Sequence, residues 1–467
     1  MKTMSDNTII GAIATSPGCG AVAVIRLSGA GCIELAEQVF QSPSGKRLVN
    51  VAPNTVHFGR IMEENELVDE VLLTVFRAPH SFTGEDVVEI SCHGSVYIQQ
   101  RVLQLLIDKG AVLAQPGEFT RRAFLNGKMD LSQAEAVADL IASSSAAAHK
   151  MALHQMRGGF SRELERLRQE LLHVTALLEL ELDFSEEDVE FAERGELLIL
   201  VEKIRDYIKR LCDSFALGNA IKNGIPVAIV GNTNAGKSTL LNRLLKEERA
   251  IVSDNEGTTR DSIEETLNVN GVLFRFIDTA GIRHTLDQVE QLGIERTWTK
   301  IEQAKIVLLL LDVNRDVEQF VTYYQHVKEC LQPDATLLIL LNKAEVAHDL
   351  QETLDQVKKS ADGEWIHPLS AKTGDGVEIL LDYLSALVGM DKIGSCDVVV
   401  NNARHYEALT RALEAMDLVQ EGLHAGLSGE FIAQDIRSCL HYLAEITGLI
   451  STEDVLQHVF SHFCIGK

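Results

Sequence analysis

The sequence predicts a multidomain chain of mixed α/β and all-α character: an α/β domain first, then a helical domain, with a doubly wound α/β domain inserted into the helical one. Three observations predict it. Strand-like and helical patterns mix over residues 1–126, one long apolar stripe follows the pair Gly158 and Gly159, and continuous apolar runs recur from residue 225 onward.

Residues 1–126 carry strand-like apolar stretches at 21–27, 71–76 and 87–90, a helically spaced stretch at 96–107, and a turn signal at Pro116 and Gly117. The texture then changes. Ser132 with Glu135 reads as a capping box opening a helix, and alanine-rich helical sequence follows to about Met156. Gly158 and Gly159 break it. Leu164, Leu167, Leu171, Val174 and Leu178 then recur at spacings of three and four, which places them on one face of a long helix. Residues 127–219 are therefore expected to form the first part of a helical domain.

From residue 225 the apolar runs 226–230, 274–277, 306–311 and 337–341 lack in-and-out alternation, as strands covered on both faces do. They alternate with helical segments, so a parallel, doubly wound sheet is expected over 220–388. Residues 389–467 return to helix, with Leu409, Leu413 and Met416 marking one stripe, and would complete the helical domain.

At 467 residues there is room for about three domains of ordinary size. The composition, 46% hydrophobic and 24% charged, is that of a soluble globular chain. No apolar run approaches the roughly 20 residues of a bilayer-crossing helix, and the opening MKTMSDNTII lacks the apolar core of a secretory signal. A cytoplasmic address without membrane association is expected. The eight cysteines contain no CxxC pair, which argues against a zinc ribbon or a disulfide framework. A net charge of −25 repels nucleic acid as a whole, so an RNA partner needs a local basic surface or a second protein. Part of that charge, nine acidic residues against Arg194 between 179 and 196, reads as a solvated helix end and loop.

The chemistry is concentrated in the inserted domain. Gly231, Asn232, Thr233, Asn234, Ala235, Gly236, Lys237 and Ser238, followed by Thr239, lie between an expected strand and an expected helix. The glycines permit a tight loop whose backbone N–H groups surround phosphates, Lys237 reaches the outer phosphates, and the Ser238 hydroxyl suits magnesium. Asp278, Thr279, Ala280 and Gly281 follow the next strand, where the carboxylate can hold the magnesium shell and the Gly281 N–H can meet a γ-phosphate. Asn342, Lys343, Ala344 and Glu345 close a further strand, where a carboxylate can accept from both N–H donors of a guanine edge; Ser370, Ala371 and Lys372 can buttress the base. Four elements in this order, each after a strand, predict a Ras-like G domain with GTP as substrate. Glu345 stands where aspartate is usual. Its extra methylene predicts guanine preference with weakened affinity.

Hydrolysis needs a group that orients water. Ras-type enzymes place glutamine directly after the DTAG-like motif, but here that position is Ile282. Either the protein only switches, or another residue of 282–292 acts, with Glu290, Asp287 and Arg283 as candidates. A cation beyond magnesium is also needed; Arg283 or a metal ion can supply it. The Asn234 carbonyl suits a monovalent ion, and backbone carbonyls of 253–258 can add to it.

Gly257, Thr258, Thr259, Arg260 and Asp261, the DTAGIR segment, and Phe463, Cys464, Ile465, Gly466 and Lys467 together resemble the MnmE (TrmE) family of tRNA-modification GTPases, within the TrmE/Era-like GTPases. The likeness extends over the chain: SPGCGAVAVIRLSG, Ser81 to Asp86 (SFTGED), Pro116 to Phe119 (PGEF) and Arg122 to Asn126 (RAFLN) also fit. The resemblance implies an N-terminal tetrahydrofolate-binding and dimerisation domain and a helical domain split by the G domain. It implies hydrolysis assisted by potassium as two G domains of a homodimer meet. On matching positions, Asn234, Ser253, Asn255 and Thr258 would bind potassium, and Ser238 and Thr259 magnesium. Asp254, Glu256 and Gly257 would line the nucleotide, and Glu290 would orient water beside Lys237. Arg26, Glu89, Lys128 and Lys467 would contact 5-formyl-tetrahydrofolate or a related folate. With a flavoprotein partner like MnmG (GidA), in a heterotetramer or larger complex, such proteins make a carboxymethylaminomethyl-type addition at carbon 5 of the wobble uridine of certain tRNAs.

The residue chemistry is compatible with those roles. Arg26 and Lys128 can pair folate carboxylates, Glu89 can accept from pterin donors, and Cys464, between His462 and Lys467, has a setting that raises thiolate character; the resemblance of the tail implies a catalytic role for it. His458 and His462 sit four apart, but no further ligand is evident beyond Cys464, so no metal centre is assigned there. The alternative is a signalling or ribosome-assembly switch, which would share the G motifs and explain neither Cys464 nor residues 1–126. A folate-dependent aminomethyl transferase regulated by GTP overlaps the first reading.

Overall fold

The computed structural model describes residues 8–183, 194–232, 234–248, 265–277, 301–314, 317–361, 363–387, 398–463 and 465–466. The chain divides into two compact units: Met1–Ile141, Leu153–Arg205 and Arg411–Lys467 form one, Ala142–Ala152 and Asp206–Thr410 the other.

The first unit contains strands β1 (Ile10–Ile13), β2 (Val22–Ser28), β3 (Phe40–Gln41), β4 (Thr55–Glu63), β5 (Glu66–Phe76), β6 (Val87–His93) and β7 (Val112–Leu113), in the order β3-β4-β5-β6-β2-β1-β7. Neighbours are antiparallel except β1 and β7. Successive side chains on a strand point to opposite faces. Ile25 and Leu27 of β2, Val88 and Ile90 of β6, and Leu73 and Val75 of β5 pack with Cys32 and Ile33 of helix α1 (Cys32–Glu37) and with Val102 and Leu106 of α2 (Val96–Asp108). The alternate positions Val22, Arg26, Glu89, Leu72 and Phe58 face the other side, where Val22, Phe58 and Leu72 are exposed.

Helices α3 (Glu118–Leu125) and α4 (Leu131–Ala142) follow. The cap of α4 lies two residues before the expected one. Asp130 accepts from the Gln133 N–H at 2.9 Å, and the Gln133 carboxamide accepts from the Asp130 N–H at 3.0 Å. Ser132 lies inside the helix and donates to the Asp130 carboxylate. The earlier start has a packing cause: Leu131 is fully buried with Leu456, Phe460 and Phe463, which draws it into the first turn. The alanine-rich stretch is also not one helix, because α5 (Ala146–Met156) is separate from α4. In α6 (Gly159–Asp183), Leu164, Leu167, Leu171, Val174 and Leu178 are all buried as the stripe predicts, each contributing about 1.5–3 kcal/mol. The chain continues through α7 (Arg194–Asp213) and α8 (Phe215–Asn223).

The second unit is built on β8 (Ile225–Gly231), β9 (Glu265–Val269), β10 (Val272–Phe276), β11 (Ile306–Asp312), β12 (Thr336–Asn342) and β13 (Trp365–Pro368), in the order β13-β12-β11-β8-β10-β9. Between β8 and β12 the apolar run of β11 is buried from end to end. Leu308 and Leu310 enter one core, with α9 (Lys237–Glu248) and α12 (Val377–Leu387); Val307, Leu309 and Leu311 enter the other, with α10 (Val317–Cys330) and α11 (Leu350–Ser360). The sheet is not wholly parallel, as the apolar runs alone suggested. β9 and β10 pair antiparallel across Asn270 and Gly271, both at positive φ, the two-residue turn whose twist suits a hairpin.

Past β13, α13 (Ala403–His424), α14 (Gly429–Thr447) and α15 (Glu453–Ser461) complete the described helices. Leu409 and Met416 are fully buried, but Leu413 is only half-buried, and Ala412 takes its place on the inner face. Cys32, Cys92 and Cys439 are buried, and burial pushes the thiols of Cys92 to about 11 and Cys439 to about 12. No described helix is long and apolar enough to cross a membrane.

Candidate functional site

At the carboxyl edge of the parallel strands, β8 runs into the loop 231–236 and α9 leads out of it at Lys237. Gly231 lies so near β11 that a Cβ there would fall 2.3 Å from the Leu310 carbonyl. Asn234 is held at φ 61°, a conformation uncommon for a residue with a side chain. Lys237 Nζ donates to the carbonyls of Gly231 at 2.7 Å and Asn232 at 2.9 Å, which fixes its ammonium over the loop. The first backbone N–H groups of α9 have no partner within the helix, and with the helix dipole they favour an anion here. Ser238 and Thr239 belong to the same first turn.

Asn342, at the end of β12, ties the edge together. Its Nδ2 donates to the Ala235 carbonyl at 2.7 Å and its Oδ1 accepts from the Ala371 N–H at 2.9 Å. Gly236, at φ 101°, leaves the space this requires, since a Cβ would fall 2.1 Å from Asn342 Nδ2. Lys343 takes up φ 67° and sends Nζ to Asp312 at 2.7 Å, from the strand end paired with Asn342. Glu345 follows in a short 3-10 turn, exposed. Ser370 is buried and accepts from the Thr373 N–H at 3.1 Å, Ala371 is buried, and the Lys372 carbonyl accepts from Arg243 of α9. Gly231, Asn232, Ala235 and Lys237 thus join Asn342 and Ala371 at one hydrogen-bonded edge, with Lys343 tied to Asp312 beside it; Thr233 lies outside the described residues. Ser253, Asp254, Asn255, Glu256, Gly257, Thr258, Thr259, Asp278, Thr279, Ala280, Gly281, Arg283, Asp287 and Glu290 lie outside the described residues.

A second cluster lies in the first unit. Arg26 and Glu89 are opposite each other on β2 and β6, with Arg26 Nη2 2.8 Å and Nε 2.9 Å from the same Glu89 oxygen. The guanidinium stands 5.6 Å from each of the Phe82 and Phe119 rings, and Nη1 donates to the Gly466 carbonyl at 3.4 Å. Cation–π contact on two sides fixes the plane of the guanidinium. Lys128 is exposed and donates to the Pro79 carbonyl at 3.0 Å, in the loop that brings Phe82 to Arg26. Cys464 and Lys467 lie outside the described residues. Under this cluster, Ser28, Thr83, Glu85 and Arg122 form a largely buried network, with Ser28 Oγ 2.7 Å from both Thr83 Oγ1 and Glu85 Oε2.

Asp312, Arg243, Phe82 and Phe119 have no role among the residues expected from the sequence. Asp312 was legible as the polar residue ending an apolar run, and both phenylalanines sit in segments already singled out. Arg243 had no signal.

Two family models match. The MnmE helical domain matches residues 131–464 and the GTP-binding protein TrmE N-terminus matches residues 9–128. Among curated proteins, the tRNA modification GTPase MnmE of Parabacteroides distasonis is 53% identical over 459 residues, covering 98% of this chain and 99% of that protein. The protein of the same name from Bacteroides fragilis is 54% identical over 469 residues, covering 99% and 100%. Among solved structures, the FeoB G-domain from Methanococcus jannaschii is 25% identical and covers 35% of this chain and 98% of that one, with a TM-score of 0.25, too low to bear on the fold.

Proposed function

This chain belongs to the MnmE family of tRNA modification GTPases, and from that premise we propose that it couples potassium-stimulated GTP hydrolysis to folate-dependent modification of the wobble uridine of certain tRNAs. The observation that carries the reading is the Asn342 carboxamide, which joins the phosphate loop at Ala235 to the base loop at Ala371.

In this reading Lys237 and the backbone N–H groups of 234–239 hold the phosphates, and Asn342, Lys343, Glu345, Ser370, Ala371 and Lys372 hold the base. Asp254, Glu256, Gly257, Thr279, Ala280 and Gly281 complete the nucleotide contacts. The hydroxyls of Ser238 and Thr259 and the Asp278 carboxylate are hard oxygen donors that would hold magnesium, which would neutralise phosphate charge. The oxygen-rich set of Asn234, Ser253, Asn255 and Thr258 fits potassium, and the exposed loop position of Asn234 supports this. Glu290 accepts a hydrogen bond from the attacking water and orients it. Arg26, Glu89, Lys128 and Lys467 hold the folate, and Cys464 has a catalytic role.

The domains in this proposal are 1–126 for folate binding and dimerisation, 127–219 and 389–467 for the helical domain, and 220–388 for the G domain. The spans of the two family models support the first boundary. A homodimer is supported by the exposed apolar face of Val22, Val56, Phe58 and Leu72 on the seven-stranded sheet. The partner is an MnmG-like FAD protein, in a heterotetramer or larger complex, and the address is cytoplasmic. A switch without modification chemistry accounts for none of the Arg26 cluster.

The test is mass spectrometry of tRNA nucleosides from cells lacking this protein, complemented with wild type, Lys237→Ala or Arg26→Ala. Restored carbon-5 modification with wild type alone is expected. Unchanged wobble uridine in the deleted strain would remove the proposal.

A further inference from the structure

The segment PGEF at 116–119 has a use that hydrolysis and folate binding leave unexplained. Gly117 is at φ 68°, and a Cβ there would fall 2.7 Å from the Phe460 carbonyl and 3.0 Å from the Cβ atoms of both Phe460 and Phe463. The nearest of these is backbone, which cannot swing aside as a side-chain tip can. Phe460 and Phe463 are themselves anchored, buried with Leu131, Ala134 and Leu456 and partly covered by Phe124. Two residues beyond Gly117, the fully buried Phe119 lies against the Arg26 guanidinium.

Three residues past Phe463, Gly466 is held just as closely. Gly466, at φ 94°, would place a Cβ 2.5 Å from the Ile13 carbonyl, and its own carbonyl accepts from Arg26. Phe460 and Phe463 are therefore gripped at Gly117, and Gly466 at Ile13 and Arg26. One short loop touches the segment with Gly117 and touches Arg26 with Phe119.

We propose that Gly117 is a positioning residue for the modification reaction: its bare surface seats the turn at Phe460 and Phe463, and through Phe119 the same loop holds Arg26 in register with that seat. This rests on the reading that Arg26 and the segment 463–467 serve the one-carbon chemistry. A Cβ at Gly117 displaces the turn by several tenths of an ångström or more, enough to misplace a reacting group. A shift of about 1 Å can cost roughly 10²-fold in rate.

The experiment uses the full chain with its flavoprotein partner and compares Gly117→Ala with Gly45→Ala. Gly45 has nearly the same backbone conformation, φ 66°, but nothing within 4 Å of an added methyl, so it carries the backbone strain without the contact. Gly117→Ala should lower kcat for uridine modification at least tenfold with KM for tRNA unchanged, keep GTP turnover within twofold of wild type, and expose the segment 452–466 to limited proteolysis. Gly45→Ala should match wild type in all of these.

Wild-type modification by Gly117→Ala overturns the proposal, and so does an equal loss in both variants, which would make backbone strain the cause. If Gly117→Ala does not fold, Phe463→Ala loosens the seat from the other side with no change of backbone. It should show the same selective loss, and wild-type modification by it overturns the proposal equally. Cys464→Ser is run in parallel. Modification retained there defeats the underlying functional reading, whereas its loss there with retention in Gly117→Ala defeats only the role of Gly117.

Discussion

Asn342 donates its Nδ2 hydrogen to the carbonyl of Ala235 at 2.7 Å, across 107 residues of sequence. The other end of the carboxamide is used as well, by the Ala371 N–H, so a side chain 2% exposed fixes three loops at once.

Asn342→Ala should therefore be among the more damaging single changes in the second unit. It leaves a buried carbonyl and a buried N–H without partners, at about 1–3 kcal/mol each. Chemical denaturation should show a loss of about 2–6 kcal/mol by that reckoning, and GTP affinity should fall at least tenfold. Asn342→Asp keeps the acceptor for Ala371 but sets a buried carboxylate oxygen against the Ala235 carbonyl, so it should be no milder than the alanine variant.

Gly236→Ala should abolish nucleotide binding while barely changing the unfolding midpoint of the first unit. The added methyl would meet Asn342 Nδ2 at 2.1 Å, in a backbone conformation disfavoured for alanine. Titration with a fluorescent guanine nucleotide checks this, and near-wild-type affinity would contradict the geometry.

Potassium should raise GTP turnover well above the rate in sodium at equal ionic strength. Glu290→Ala should abolish turnover and spare binding. Equal rates in the two salts remove the cation assignment; unchanged turnover in the variant removes the assignment of Glu290.

Arg26→Ala should stop uridine modification and leave GTP hydrolysis within twofold of wild type. Arg26→Lys should restore little, because an ammonium cannot lie flat between the Phe82 and Phe119 rings while also reaching Glu89. Full modification by the lysine variant would show that charge alone suffices.

His367, half-buried between Trp365 and the loop at Gly376, has its imidazole pKa lowered from 6.5 chiefly by burial, with the Gly376 carbonyl opposing. A depressed histidine pKa means the unfolded chain binds the proton more readily. This stability contribution is complete above about pH 6.5 and is lost as pH falls through that value toward the folded pKa. His367→Gln should flatten the fall of the second unit's unfolding midpoint between pH 7 and 5, and an unchanged profile would refute it.

The strands β8, β11 and β12 were legible because burial on both faces leaves a nearly continuous apolar run; β10 carries Arg275 and buries only its alternate residues, so its expected apolar run at 274–277 was not one. Strand β4 was not legible, because its apolar Val56 and Phe58 face outward while Gly59 and Ile61 face the core. The pattern there records an exposed surface rather than the interior. The antiparallel edge was legible too, in Asn270 and Gly271 flanked by the alternating Leu267, Val269, Val272 and Phe274, a hairpin signal that attention to continuous apolar runs passes over. At the Arg26 cluster the motifs were visible, but their meeting was not. Arg26, Phe82, Phe119 and Gly466 come from four separate parts of the chain, and no local periodicity records such contacts.

The hydrogen bond from Arg26 to Gly466 joins positions 440 apart, and that distance is also an interval of synthesis. At about 5–20 residues per second, a ribosome that has just made Arg26 needs on the order of a minute to reach Gly466. During that time the sheet around β2 can fold, but Gly117, Phe124 and Leu131 present a bare apolar seat to solvent. A nascent or truncated chain therefore carries a sticky surface and an incomplete cluster together, which invites chaperone capture until the distant segment arrives to cover it.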